Sequence, residues 1–208
     1  MSFDIDVGLQ LGDATITCRV EGGDGLTVLF GPSGAGKTSV LNMVAGLLTP
    51  GWGHVRVEGE TLFEASDDPW IPDFDLPPEQ RRAGYVFQEP RLFPHKRVRA
   101  NLLYGWRQGA GAVDVDETIA LLGLAALLDR WPRTLSGGEA RRVAIGRALL
   151  SNPRFLLLDE PLSSLDRARR EEIMGLIERL RDALGLPILM VTHDRAEAER
   201  LGNRIVEI

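Results

Sequence analysis

The segment Gly31-Pro32-Ser33-Gly34-Ala35-Gly36-Lys37-Thr38 follows the apolar run Leu26-Thr27-Val28-Leu29-Phe30 and opens a stretch of helical character. A glycine-rich loop ending in Lys-Thr, placed between strand and helix, has the spacing of a phosphate-binding P-loop. Glycines let the backbone curl around an anion with its N–H groups turned inward, and the helix that follows brings a partial positive charge at its N-terminus. Lys37 adds a full charge for the β/γ-phosphates, and the Thr38 hydroxyl suits a Mg²⁺ that bridges them. The eight residues thus predict an α/β fold and a nucleotide ligand.

Composition narrows the setting. A chain of 208 residues, 44% hydrophobic and 26% charged, can bury one substantial core. Cys18 is the single cysteine and reads as a small buried apolar residue, and no Cys/His cluster has zinc spacing. A net charge of −6 opposes a general nucleic-acid surface. The apolar runs Phe155 to Leu158 and Ile188 to Val191 are far shorter than a membrane span, and Met1-Ser2-Phe3-Asp4 does not begin a signal peptide. Any membrane contact is therefore expected through a partner.

Phe3 to Leu11 and Ala14 to Val20 read as two strands joined by a Gly12-Asp13 turn, an antiparallel edge. The helix after the loop is expected from about Lys37 to Ala45, ending at Gly46. His54 to Glu58 and Ala83 to Gln88 read as strands, with Glu64 to Pro78 an exposed loop. Helical spacing then takes over in Val98 to Trp106, Asp114 to Leu128 and Gly137 to Leu150, with breaks at Gly109-Ala110-Gly111 and Trp131-Pro132. Asp114 and Glu117 form a capping-box pattern. Alternation returns with a strand at Arg154 to Leu158, a helix at about Asp166 to Leu184, a strand at Ile188 to Thr192, a short helix after Asp194 and a strand at Arg204 to Ile208. Such alternation argues for a mainly parallel sheet covered by helices. The expected organisation is one domain over 1–208, with a core from 1–90 and 151–208 and an inserted helical lobe at 91–150.

Two further segments carry chemistry. Phe155-Leu156-Leu157-Leu158-Asp159-Glu160 is an apolar strand running into two carboxylates, at the strand end where ligands sit in α/β sheets. Asp159 would hold Mg²⁺, as a Walker B acid does, and Glu160 would orient and deprotonate an attacking water. Leu135-Ser136-Gly137-Gly138-Glu139 opens a helix, and Ser136 with Glu139 makes a capping box by itself. A cap does not need paired glycines, which cost roughly 1 kcal/mol each inside a helix. Backbone that closely approaches a phosphate does need them.

At this point the chain resembles a known family. Leu135 to Glu139 looks like the signature of ABC ATPases. Together with Gly31 to Thr38, Phe155 to Glu160, Ser163-Ser164-Leu165-Asp166 and Val191-Thr192-His193-Asp194, it matches the ordered motif set of their nucleotide-binding subunits, over about Phe3 to Ile208. The resemblance implies a P-loop NTPase fold with ATP and Mg²⁺ as ligands. It implies Gln88 as the Q-loop residue near Mg²⁺, His193 as the H-loop contact to the γ-phosphate, and Asp166 at the subunit contact. It further implies that Ser136 to Glu139 of one copy close over the ATP held by Gly31 to Thr38 of a second. Motion would pass through the Arg91 to Asn101 surface to integral-membrane permease subunits at the cytoplasmic face of a bacterial inner membrane, served by a substrate-binding protein.

Arg81 to His95 and Val98 to Gly105 look like the ATPase subunits of bacterial molybdate importers, with parts shared by importers of sulfate, polyamines or sugars. His95 reads as a surface residue. A soluble ABC ATPase acting on nucleic acid is the rival, opposed by the lack of a long coiled coil or a second ATPase segment. Two positions depart from the pattern. Leu11 stands where many members stack an aromatic ring on adenine, a loss worth roughly 1–3 kcal/mol. No counterpart of the C-terminal oxyanion-sensing domain of typical members falls within the 208 residues.

Overall fold

The structure, a computed structural model, describes residues 2–65, 72–106 and 114–208. Strands β1 (Phe3–Leu11) and β2 (Ala14–Glu21) form the expected hairpin, turning at Gly12 with φ +60°. Next come β3 (Leu26–Phe30), α1 (Lys37–Ala45), β4 (Trp52–Val57), β5 (Glu60–Ala65) and β6 (Phe74–Asp75). The antiparallel region is larger than expected, a five-stranded sheet ordered β2-β1-β4-β5-β6. The segment expected as a loop at 64–78 contains the end of β5 and all of β6, paired through Phe63–Asp75 and Glu64–Phe74. That short run is paired by its neighbour rather than by any alternation of its own, and residues 66–71 of the segment lie outside the described residues.

After α2 (Pro78–Arg81) and β7 (Ala83–Val86), helices α3 (Val98–Leu102), α4 (Val115–Leu121) and α5 (Gly137–Leu150) follow, with 3₁₀ turns at Ala125–Leu127 and Pro132–Thr134. Two of these helices are shorter than their apolar spacing predicts. The stretch from 98 to 106 is helical only to Leu102, and that from 114 to 128 only to Leu121, before Gly123 takes a left-handed φ of +61°. Asp114 caps α4 by accepting from the N–H groups of Asp116 and Glu117. The break at Gly109-Ala110-Gly111 lies outside the described residues.

Finally, β8 (Phe155–Asp159), α6 (Arg167–Leu184), β9 (Ile188–Thr192), α7 (Arg195–Leu201) and β10 (Arg204–Glu207) complete an all-parallel sheet ordered β10-β3-β9-β8-β7. Both faces of this sheet are covered, which is why β8 and β9 read as unbroken apolar runs. Strand period two divides their side chains. Leu156, Leu158, Ile188 and Met190 join α5 and α6 in one core, while Phe155, Leu157, Leu189 and Val191 meet α1 and the antiparallel sheet in another. Each fully buried Leu, Ile or Phe contributes about 1.5–3 kcal/mol. Cys18 belongs to the second core, where burial pushes its thiol up to about 12.

Arg81, fully buried, is a guanidinium inside this packing. It donates to the carbonyls of Met43 (2.8 Å) and Val44 (3.0 Å) in the last turn of α1, to Leu76 O (2.7 Å) and to Asp75 (2.6 Å). A cation at a helix C-terminus meets the negative end of the dipole, so α1 is fastened to β6 and α2 as well as to the sheet. Because the sheet is parallel, the carboxyl ends of β3, β7, β8 and β9 share one edge, with Phe30 beside Thr192, Asp159 beside Val191 and Val86 beside Leu158. Ligands bind at such edges.

Candidate active site

The loop from Gly31 to Gly36 leaves β3 at that edge and delivers Lys37 and Thr38 into the first turn of α1. Gly34 and Gly36 have φ of +87° and +89°, a conformation that side-chain-bearing residues rarely adopt. Gly36 is also packed: a Cβ there would lie 2.9 Å from Ile16 of β2. Ile16 therefore borders the loop, a neighbour that only the fold reveals. Lys37 is buried and its ammonium donates to the loop carbonyls of Gly31 (2.9 Å) and Pro32 (2.7 Å).

From α1 the Thr38 hydroxyl donates to Asp159 Oδ1 at 3.0 Å, joining the loop to the end of β8. Asp159 is 3% exposed, and burial raises its carboxyl above the usual range against the opposing hydrogen bond from Thr38. These are hard oxygen donors at an α-helix N-terminus. Among the described residues no group of three or more His, Cys, Asp or Glu side chains could hold a metal alone. A pair of protein oxygens fits a cation that takes its other ligands from phosphate and water, as Mg²⁺ does.

Glu160, with φ +42°, lies one residue past the strand. Its Oε2 accepts from the Gln88 amide (3.2 Å) and its Oε1 is 3.0 Å from His193 Nδ1. Three distant segments thus meet on one carboxylate. Gln88, Glu160, His193 and Ser33 line a cavity of about 360 Å³, and Gln88, Thr38 and Asp159 line a neighbouring one of about 530 Å³ with Tyr85, Phe87 and Arg91. Below His193, Thr192 donates to buried Glu197 (2.6 Å) and accepts from the N–H of Asp194. Asp194 then caps α7 through the N–H groups of Ala196 and Glu197. The turn that presents His193 is thereby tied down on both sides.

Ser136, Gly137, Gly138 and Glu139 are placed apart from this cluster. Ser136 caps α5, accepting from Glu139 N (3.3 Å), while the Glu139 carboxylate accepts from Ser136 N (2.6 Å), which holds Glu139 below the usual carboxylate range. Among the described residues no hydrogen bond or ion pair joins this segment to Gly31–Thr38, and neither cavity reaches it. Asp166 caps α6 through Arg169 N. Leu11, at the end of β1, is 44% exposed.

The sequence profile of the ABC transporter family matches residues 16–163. The chain belongs to that family. The match takes in the loop, Gln88, the signature segment, Asp159 and Glu160, while His193 lies beyond it. This ABC family member is 49% identical over 209 residues to the molybdenum import ATP-binding protein ModC of Mesorhizobium japonicum, across 99% of this chain and 55% of that protein. It is 50% identical over 209 residues to the ModC of Rhodospirillum rubrum, again across 99% of this chain and 55% of that protein. To the ModC of Brucella melitensis it is 55% identical over 186 residues, across 88% of this chain and 50% of that protein. The chain spans about half the length of these curated relatives. Its fold also matches the ATP-binding cassette MJ0796, solved as a dimer in a post-hydrolysis state bound to ADP and Pi. The TM-score is 0.72 at 28% identity, over 100% of this chain and 93% of that one.

Two site-forming residues carry no mark in the sequence. Arg141 of α5, 3% exposed, donates to the carbonyls of Phe87 (2.7 Å) and Gln88 (2.6 Å). Arg147 of the same helix donates to Pro90 O (3.1 Å) and Arg91 O (2.9 Å). Nothing in the local sequence points to these bonds, since the partners lie some fifty positions away.

Proposed function

We propose that this chain is the ATP-hydrolysing subunit of an ABC importer, and that the cargo is molybdate. The observation that carries the reading is the Glu160 carboxylate held between Gln88 and His193 beside the Thr38–Asp159 pair. In this reading Gly31, Pro32, Ser33, Gly34, Ala35 and Gly36 wrap the phosphates with backbone N–H groups, and Lys37 leaves its loop carbonyls for the β/γ-phosphates. Thr38 and Asp159 would hold Mg²⁺, with Gln88 nearby, and the ion would supply positive charge that neutralises the phosphates. Glu160 orients a water and takes its proton as the water oxygen bonds to the γ-phosphorus, the bond to the ADP oxygen breaks, and ADP and phosphate result. His193 fixes Glu160 and contacts the γ-phosphate.

The site is completed by a second copy. Ser136 to Glu139 of one copy cover the nucleotide on the other, so ATP binding and dimerisation are linked equilibria. The 91–150 lobe then passes the closure to permease subunits at the cytoplasmic face of the inner membrane. Among the described residues no helix is long and apolar enough to cross a membrane. The choice of molybdate rests on the names of the relatives above and on the Arg81 to Gly105 resemblance.

The test is uptake of trace radiolabelled molybdate by cells lacking their own ATPase subunit and expressing the matching permease with this chain or its Glu160→Gln form. Uptake restored by the intact chain alone, and resistant to excess sulfate, is the expected result. ATPase activity without molybdate uptake would redirect the assignment to sulfate or another importer. Tight, salt-sensitive binding to DNA would favour the nucleic-acid reading.

A further inference from the structure

Gln88 sits in the irregular segment between β7 and α3, where no ladder bonds of the sheet hold its backbone. What holds it is Arg141. The two terminal guanidinium nitrogens of this buried side chain donate to the successive carbonyls of Phe87 and Gln88 at 2.7 and 2.6 Å, while its Nε has no partner. Every hydrogen bond of a nearly inaccessible cation is thus spent on two adjacent peptide groups. A planar fork with short charge-assisted bonds fixes direction as well as distance. The Gln88 amide in turn reaches Glu160 at 3.2 Å.

We propose that Arg141 is a positioning residue for hydrolysis, setting the Gln88 backbone so that its amide meets Glu160, and thereby tying the helix that begins at Ser136 to the reacting carboxylate. The proposal rests on the hydrolytic role given to Glu160 above and deepens it. Arg147 makes the neighbouring attachment, to Pro90 and Arg91, and is the comparison: it holds the same segment but not the residue that touches Glu160.

The experiment uses the full chain with its permease, carrying Arg141→Met, Arg141→Lys, Gln88→Ala or the paired changes. Three quantities are read: kcat for MgATP, Kd for a fluorescent ATP analogue, and amide hydrogen exchange over 86–91. Arg141→Met should lower kcat about tenfold to a hundredfold, the scale of a misplaced catalytic geometry, with Kd changed by less than about twofold. Arg141→Lys, whose ammonium can serve only part of the fork, should fall between wild type and Met. In the Gln88→Ala background Arg141→Met should cause no further loss of kcat, and exchange over 86–91 should accelerate in the single Arg141 variants. An equal loss in both backgrounds, Lys no better than Met, or unchanged exchange would overturn the proposal. If Arg141→Met does not fold, Arg141→Lys runs the same cycle. Absence of hydrolysis in the wild-type complex would defeat the hydrolytic role alone, and exchange would still decide whether Arg141 holds Gln88.

Discussion

Gly34 and Gly36 take left-handed φ values of +87° and +89°, and Gly36 has Ile16 against it, whereas Gly137 and Gly138 open α5 in ordinary helical geometry. A Cβ on Gly137 would meet Leu165 at 3.5 Å and one on Gly138 would meet Arg169 at 3.5 Å, both normal van der Waals contacts. The first pair is glycine because this chain's own backbone and packing demand it. The second pair has room for a side chain within this chain, and a helix would gain from one. Packing within this chain gives no reason for them; under the proposed function, a partner copy's nucleotide lying on them would supply one. The carboxylates beside the two segments differ in the same sense. Asp159 is carried into a buried position that opposes its charge, while Glu139 is stabilised by the N–H of Ser136.

The sharpest test of the first region is Glu160→Gln. Hydrolysis should fall about a hundredfold to ten-thousandfold with nucleotide binding retained, since only the proton acceptor is lost. Phosphate-release kinetics beside a binding titration check this, and near-normal turnover would remove Glu160 from the chemistry. The glycine contrast is next. Gly36→Ala should destabilise the chain by roughly 1–2 kcal/mol from the left-handed backbone alone, more with the Ile16 contact, and should weaken nucleotide binding by the isolated subunit. Gly138→Ala should instead leave thermal stability unchanged or raise it by up to about 1 kcal/mol, while suppressing ATPase activity in the assembled complex. Destabilisation by Gly138→Ala would erase the distinction between the two pairs.

Ser136→Ala removes a cap and should cost about 1 kcal/mol in urea unfolding. The smallest effects are those of pH. Raised in the folded chain, Asp159 contributes stability that is present below its ordinary 3.8 and is lost as pH rises through its folded value, so Asp159→Asn should flatten that decline. Glu139 is lowered, and its contribution is present above its ordinary 4.5 and lost as pH falls through the folded value. Glu139→Gln should therefore flatten stability on the acid side. Urea midpoints across pH 3 to 7 for both variants give the two signs, and slopes of the same sign would break the comparison.

Elements marked by a local signal, whether a glycine stop, a capping box or an unbroken apolar run, were legible from residues alone. The helix Lys37–Ala45 with its stop at Gly46, the helix Gly137–Leu150 behind the Ser136 box, and the strand Ile188–Thr192 coincide with their sequence expectations. So do the fold class and the family, because a glycine loop, a cap and an apolar run into two acids are each written within a few consecutive positions. The shorter helices, the strand β5 and the pairing of β6 were not legible, since their limits come from neighbouring strands and packed side chains.

By itself, then, the sequence determined which chemical groups stand at which strand and helix ends: Lys37 and Thr38 after β3, Asp159 and Glu160 after β8, His193 after β9. Tertiary structure alone decided that Glu160 would lie between Gln88 and His193, that Arg81 would close the end of α1, and that Arg141 would grip the carbonyls of Phe87 and Gln88. A buried guanidinium must find acceptors wherever packing brings them. Here those acceptors, the Asp75 carboxylate apart, are peptide carbonyls of other segments, and peptide groups look alike at every position in a sequence.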